Sequence, residues 1–394
     1  MNRDRSLDRA AGRTALFDHI IIMIRVRKGT LCGSASGRSA LHRSVEEELS
    51  MGSNRIQQNC IIPSAAFSVP GKLVKRYGAQ HERTPIPGDL ILGEVCRLGH
   101  HVTLESVSAR IHTIHDRTRA IFVYGNRYAP DHYEGLVPPT AFDTVDLLAR
   151  SGLVGEMICH NERISAPTKI RVLGYACDNE GRVVNTREHV LIQPKISERS
   201  GPGSRLILCI GTSMNSGKSY AAAACCYALS SMGKTVRAAK VTGTASLKDI
   251  LLMQDCGAQH VADFTYFGYP STYMLEVGDL LRIFRGIDLK YGNNPRNYLV
   301  IEFADGIFQR ETAMLLRCPE VRSRIHKVVF CASDAAGAAG GLRMLKESFD
   351  LTPTAISGSC SSSPLALREI ASFTDIPILR SLQRDYKAIY AMIR

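Results

Sequence analysis

Features that define several large classes of protein are missing from this chain. No apolar run approaches the ~18 residues of a membrane-spanning helix, so no membrane association is predicted. The 12 cysteines form no C-x-x-C pair, and Cys209, Cys225 and Cys226 lie inside apolar runs, as reduced buried thiols do. These observations argue against a disulfide scaffold and predict a cytoplasmic protein.

A concentrated basic patch is also missing, although the net charge is +12. Residues 1–204 hold 27 Lys/Arg and 21 Asp/Glu, and residues 205–394 hold 22 and 16, so the excess is spread evenly. Proteins that bind nucleic acids usually gather their basic residues on one face or in one arm. The even spread gives no strong sign of a nucleic-acid partner and suits an anionic small molecule equally well.

The N-terminal half divides into two segments of different character. Residues 1–60 are rich in Arg, Ser and Gly without sustained periodicity, which predicts disorder or an extension upstream of a true start at Met51. Residues 61–196 contain short strand patterns, such as 90–95, 120–124 and 169–173, and one helix is expected over 140–150. Strands at this spacing predict a β-rich, barrel-like domain.

The C-terminal half begins after a short polar linker at residues 197–204. Strand and helix patterns then alternate over 205–394. This alternation predicts an α/β fold with a mostly parallel sheet, helices on both faces, and ligands at the carboxyl ends of the strands.

A glycine-rich turn follows the first apolar strand of that half and precedes an alanine-rich helix. Strand, turn and helix in this order predict a phosphate-binding loop, because backbone N–H groups and the positive end of the helix then face one anion. Lys218 is expected to contact the β- and γ-phosphates, and the Ser219 hydroxyl to bind Mg²⁺. The predicted phosphate contacts are Gly211, Thr212, Ser213, Met214, Asn215, Ser216, Gly217, Lys218, Ser219 and Tyr220.

The loop differs from the common P-loop spacing, because five residues instead of four separate Gly211 from Gly217. This longer form, beginning Gly-Thr-Ser, resembles dethiobiotin synthetase and the cobyrinic and cobyric acid synthetases, which are P-loop proteins of the SIMIBI class. The resemblance covers the C-terminal domain only. It implies a nucleotide- and Mg²⁺-dependent enzyme, and a homodimer, since SIMIBI proteins often dimerise with nucleotide at the interface.

The same resemblance extends to two further strand ends. Lys240 stands where the family has a lysine near the transferred phosphate, although no proline follows it here, and an ordinary lysine at a strand end is the alternative. Glu302 matches a family glutamate, whereas Asp305-Gly306 replaces the family's glycine pair. Lys218, Lys240, Glu302 and Asp305 are therefore the predicted catalytic residues, with Ser219 and Glu302 at the metal. Glu302 and Asp305 meet at one site only if the chain turns after Phe303.

Three hypotheses of function follow. The leading one is an ATP- and Mg²⁺-dependent enzyme that activates a small substrate, with a carboxylate as one candidate, by phosphoryl transfer. ATP is favoured because a guanine-binding Asn-Lys-x-Asp run is absent, and GTP is not excluded. The alternatives are a nucleotide-gated switch or metallochaperone, and a polynucleotide-processing protein. The segment from Arg127 to Asp131 resembles a functional loop tip, but a solvent-exposed turn is the favoured interpretation.

Overall fold

A computed structural model describes residues 53–78, 83–193, 201–383 and 385–394. Residues 1–52, including Met51, lie outside the described residues, as does the first half of the linker predicted at 197–204. Gly52 to Arg394 form one compact unit that contains both of the sheets described below. No helix in the described ranges is long and apolar enough to cross a membrane.

The N-terminal part is built from strands. They are β1 (Ser53–Arg55), β2 (Arg76–Gly78), β3 (Leu90–Arg97), β4 (Thr103–Glu105), β5 (Ile111–Thr113), β6 (Arg119–Tyr124), β7 (Arg127–Tyr128), β8 (Tyr133–Leu136), β9 (Thr144–Ala149), β10 (Leu153–His160) and β11 (Lys169–Cys177). Because β9 pairs with both β10 and β11, the strands β11, β3, β6, β10 and β9 close into a ring. The β-rich, barrel-like architecture is therefore present.

One predicted element of this part is wrong. The helix expected over 140–150 is the strand β9, and all of its residues after Thr144 are buried. Its backbone pairs with strands on both sides, so the hydrogen bonds that a helix would have made internally are made across the sheet. Tertiary pairing has overridden the local pattern of this segment.

The C-terminal part is a six-stranded sheet in the order β14-β13-β15-β12-β16-β17, and every pairing between these strands is parallel. The strands are β12 (Arg205–Gly211), β13 (Val236–Lys240), β14 (His260–Asp263), β15 (Tyr298–Glu302), β16 (Ile325–Cys331) and β17 (Ala355–Ser357). Beyond β17, Ile378 adds a single parallel bridge to Ile356.

Helices separate these strands. They are α1 (Lys218–Ser231), α2 (Leu247–Asp255), α3 (Val277–Tyr291), α4 (Arg310–Arg317), α5 (Pro319–Arg324), α6 (Ala335–Phe349), α7 (Pro364–Ala371) and α8 (Tyr386–Ile393). The α/β fold with a parallel P-loop sheet is confirmed. Strands β12 and β15 are almost wholly buried, as expected where helices cover both faces of a sheet.

The two sheets share part of their apolar core. One buried cluster includes Leu92 and Val123 of the barrel together with Leu208 and Phe264 of the parallel sheet region. A buried carboxylate also links the β-rich region to helix α2. Glu105 Oε2 accepts hydrogen bonds from Ser64 Oγ at 2.6 Å and from the backbone N–H of Leu247 at 3.0 Å. The first turn of α2 is therefore held by the β-rich region.

Candidate functional site

The predicted phosphate loop lies between the end of β12 and the start of α1. Gly217 precedes the helix with φ of 99°, a left-handed conformation that glycine adopts without strain. A Cβ at this position would lie 2.8 Å from Cα of Gly358, so a side chain has no room there. The backbone thus forms a narrow turn at a helix N-terminus, the arrangement that binds phosphate.

Lys218 is buried within this loop. Its Nζ donates a hydrogen bond to the carbonyl oxygen of Ser213 at 2.6 Å, and it forms no ion pair with any described residue. Burial lowers the pKa of Lys218, opposed mainly by the charges of Glu302 and Asp305. An ammonium group held in this way favours a nearby anion, which would repay its loss of hydration.

Ser219 and Lys240 meet at one carboxylate. Ser219 Oγ donates to Glu302 Oε1 at 3.1 Å, and Lys240 Nζ lies 3.8 Å from the same oxygen. Lys240 also donates a short hydrogen bond to Asp249 Oδ2. The parallel register places Lys240 opposite Glu302 on the neighbouring strand, so the end of the sheet itself brings the pair together.

The electrostatics of this network depend on burial. Burial raises the pKa of Glu302, with Lys240 and Lys218 acting in the opposite direction. Burial alone would lower the pKa of Lys240, but the charges of Asp249 and Glu302 outweigh it and the pKa is raised. Lys240 is therefore a buried, ion-paired cation. It is not the ordinary solvated lysine at a strand end that was the alternative to a role near the phosphate.

The metal prediction can be tested against an atom that lacks a partner. Glu302 Oε2 is buried and has no hydrogen-bond partner among the described residues. It belongs to the carboxylate that accepts from the Ser219 hydroxyl, and hard oxygen donors of this kind suit Mg²⁺. Ser219 and Glu302 thus fit a site for Mg²⁺ bound together with phosphate.

Asp305 reaches the same region through a turn. It has φ of 58°, and the chain then packs on the phosphate loop, where the Ile307 N–H donates to the Gly211 carbonyl at 2.9 Å. Burial raises the pKa of Asp305, opposed first by the charge of Lys218. The turn after Phe303 that the sequence required is present, and Asp305 lies within electrostatic reach of Lys218.

The remaining loop residues take different positions. Thr212 Oγ1 is buried and has no hydrogen-bond partner in the part of the chain that the structure describes, and Ser213 Oγ donates to the Met214 carbonyl at 3.0 Å. Asn215 has a left-handed φ of 60°, and Ser216 is buried beside Lys218. Tyr220 has an exposed fraction of 55% on the outer surface of α1.

A second loop contacts the site, and the sequence did not predict what this loop would touch. The turn expected to be solvent-exposed around Arg127 to Asp131 lies against the phosphate loop, because Asn215 Nδ2 donates to Asp131 Oδ2 at 2.5 Å. Arg127 is 7% exposed, so the prediction of a solvent-exposed turn is wrong for this residue. The contact joins residues 84 positions apart, and nothing in the local sequence signals it.

Gly358 packs against the phosphate loop, a contact that the sequence did not predict. It follows β17 with φ of 98°, and a Cβ there would lie 2.3 Å from the Ser216 carbonyl oxygen. The next N–H, of Ser359, donates to that carbonyl at 3.1 Å. The segment after β17 therefore supports the phosphate loop. Further along the same segment, the Ser363 side chain caps the N-terminus of α7.

No protein-family model matches this chain, and a search of curated proteins gives no significant match. Among solved structures, it is similar to the signal recognition particle receptor FtsY of Elizabethkingia anophelis in complex with GDP, at 10% identity and a TM-score of 0.33. That match covers 47% of this chain, which spans only 58% of the receptor's chain.

Two further structures show the same level of similarity. A ParA family ATPase of Chlorobium tepidum is 16% identical with a TM-score of 0.30, covering 45% of this chain and 82% of the ATPase. The cell division protein FtsY of Thermotoga maritima is 17% identical with a TM-score of 0.29, covering 51% and 71%. None of the three is a dethiobiotin, cobyrinic acid or cobyric acid synthetase. Similarity this low carries nothing about activity or substrate.

Proposed function

We propose that this chain binds a nucleoside triphosphate with Mg²⁺ at the loop from Gly211 to Ser219 and cleaves or transfers its terminal phosphoryl group. The observation that carries the proposal is the arrangement of Ser219, Glu302 and Lys240 beneath the start of α1. A hydroxyl, a buried carboxylate with an unpartnered oxygen and a paired lysine gather where phosphate and magnesium would lie in such a fold.

The chain's own residues would divide the work. Lys218 and the loop N–H groups would bind the phosphates, while Ser219 and Glu302 would hold Mg²⁺. Bound Mg²⁺ supplies positive charge that offsets the charge developing during phosphoryl transfer. Lys240 would favour the ionised form of Glu302, because its charge partly offsets the burial that raises the pKa of this carboxyl.

We propose ATP as the nucleotide and a small molecule as the acceptor of the phosphoryl group. The absence of a guanine-binding Asn-Lys-x-Asp run supports ATP. Burial of Lys218 and Glu302 supports transfer in a site that restricts water, which favours transfer to a small-molecule acceptor over hydrolysis. Turnover that no small acceptor stimulates, together with dimerisation that depends on nucleotide, would instead indicate a nucleotide-gated switch.

The test is titration of the protein with ATP and with GTP, each with and without Mg²⁺. Lys218→Ala should weaken ATP binding by roughly 100-fold, since it removes charge-assisted hydrogen bonds to phosphate. Lys234→Ala is the matched control, because Lys234 is exposed beyond the C-terminal end of α1. Ser219→Ala should remove most of the Mg²⁺ dependence. Equal ATP affinity in Lys218→Ala and the control would refute the site.

A further inference from the structure

Arg127 is a buried cation in the β-rich region. It has an exposed fraction of 7% and begins the strand β7. Within the described ranges no carboxylate lies at ion-pair distance from its guanidinium group, and its Nε atom is buried without a hydrogen-bond partner. Several other buried charges of this region are paired, for example Asp89 with Arg83 and Asp146 with Lys169.

The groups packed around Arg127 do not neutralise it. Its Nη1 lies 3.1 Å from His101 Nε2, and His132 and His100 complete a cluster of rings beside it. Burial lowers the pKa of His101 to about 3 and that of His132 to about 4, with the charge of Arg127 adding to both shifts. His101 and His132 are therefore neutral near pH 7, and neither carries a compensating negative charge.

A buried guanidinium without a carboxylate is costly. Removing such an ion from water carries a penalty of roughly several kcal/mol, which a protein normally recovers through a paired charge. Burial lowers the pKa of Arg127 to about 10, so the group still carries its charge near pH 7. An anion from outside the chain is the partner that would recover this penalty.

The position of Arg127 indicates which anion. Four residues further on, Asp131 accepts a hydrogen bond from Asn215 of the phosphate loop, so this loop lies on the nucleotide site. The carboxylate of Asp305 is the acidic side chain whose charge acts on Arg127, and Asp305 also responds to Lys218 and Lys240. Arg127, Lys218 and Lys240 therefore all act on the charge of the same carboxylate, that of Asp305.

We propose that Arg127 is a third cation of the nucleotide site, contributed in cis by the β-rich region, which binds the terminal phosphate and stabilises it during transfer. The inference rests on the proposed function. In the basal hydrolysis that proceeds without the small-molecule acceptor, an oxygen of water forms a bond to the γ-phosphorus as the bond from phosphorus to the bridging oxygen breaks. The electron pair stays on the diphosphate product, and the proton lost by water goes to solvent. Arg127 takes no proton and acts by charge alone.

The test is the replacement Arg127→Met, which keeps the length and apolar stem while removing the charge. Arginines that act on a transferring phosphoryl group are worth about 10³-fold or more in turnover, so hydrolysis should fall by about that factor. ATP affinity should fall about tenfold, whereas ADP affinity should change less than about threefold. Arg163→Met is the control, because Arg163 is an exposed arginine of the same region and should match the wild-type protein.

Stability distinguishes this role from a structural one. Removing an uncompensated buried charge should leave the nucleotide-free protein as stable as before, or more stable, in urea unfolding. A loss of stability in Arg127→Met would show that the guanidinium holds the fold, and would overturn the proposal. Arg127→Lys keeps a charge and should recover part of the ATP-over-ADP preference.

The outcome separates this proposal from the one on which it rests. If Lys218→Ala abolishes nucleotide binding while Arg127→Met keeps wild-type turnover and the wild-type ratio of ATP to ADP affinity, only the role of Arg127 is refuted. If Lys218→Ala has no effect on nucleotide binding, the proposed function fails first, and the role of Arg127 fails with it.

Discussion

Buried charged side chains differ in their pairing between the β-rich region and the parallel sheet. In the β-rich region Asp89, Glu94 and Asp146 each form an ion pair with an Arg or Lys that lies close in space. At the carboxyl edge of the parallel sheet, Lys218 has no carboxylate partner among the described residues and Glu302 keeps an unpartnered oxygen. Charges that are fully paired hold the fold, whereas charges left incompletely paired are those available to a ligand.

Arg127 is an exception to this contrast between the two regions, and its location explains why. It belongs to the β-rich region by sequence, yet it lacks a carboxylate partner in the described part of the chain, as Lys218 does. The loop that carries it ends at Asp131, on the phosphate loop. The barrel therefore contributes to the candidate site through one loop, while the parallel sheet contributes through the ends of its strands.

The largest effect on the candidate site is expected from a change in the segment that supports the phosphate loop. Gly358→Ala should lower the free energy of unfolding by roughly 3 kcal/mol, because its φ and ψ are accessible essentially only to glycine and the new Cβ would press on Ser216. We expect ATP affinity, measured by titration, to fall by at least about tenfold.

The control for this change is another glycine of the same sheet region. Gly340 lies in α6, and a Cβ there would meet nothing within 4 Å. Gly340→Ala should therefore be neutral or should stabilise the helix by up to about 1 kcal/mol. Equal behaviour of the two variants would show that Gly358 does not support the loop.

Much of the parallel sheet could be predicted from the sequence. The loop from Gly211 to Ser219 carries its signal in consecutive residues, and apolar runs with helical segments between them determine the order of elements. Contacts between distant residues were out of reach. Neither Asp131 nor Gly358 has a local pattern that points to the phosphate loop, and β9 is a strand because of partners that lie outside its own segment.

A second prediction concerns pH and the end of strand β14. Burial raises the pKa of Asp263 from 3.8 to about 6. Below about pH 4 the carboxyl group is protonated in both folded and unfolded protein, and its stabilising contribution is fully present. As the pH rises through 6 this contribution is lost, which lowers the free energy of unfolding by roughly 3 kcal/mol.

Asp263→Asn should remove this dependence. The amide oxygen can still accept from the Thr265 N–H, which now donates to Asp263 Oδ1 at 2.9 Å. Urea unfolding at several pH values between 4 and 7 gives the stability of both proteins, and the variant should gain relative to the wild type as the pH rises. A difference that stays constant across this range would contradict the raised pKa.

The smallest expected effect tests the connection between the two regions. Glu105 is a buried carboxylate of the β-rich region that has no Arg or Lys partner in the described ion pairs and instead accepts from Ser64 and from the first N–H of α2. Glu105→Gln removes a negative charge at a helix N-terminus and weakens both hydrogen bonds, so it should lower the free energy of unfolding by about 1 kcal/mol. Glu162→Gln, at an exposed position, is the control. If both variants unfold at the same urea concentration as the wild type, the carboxylate of Glu105 does not stabilise α2. Buried charges would then serve either the fold of one region or the candidate site, and Glu105 would not join the two regions.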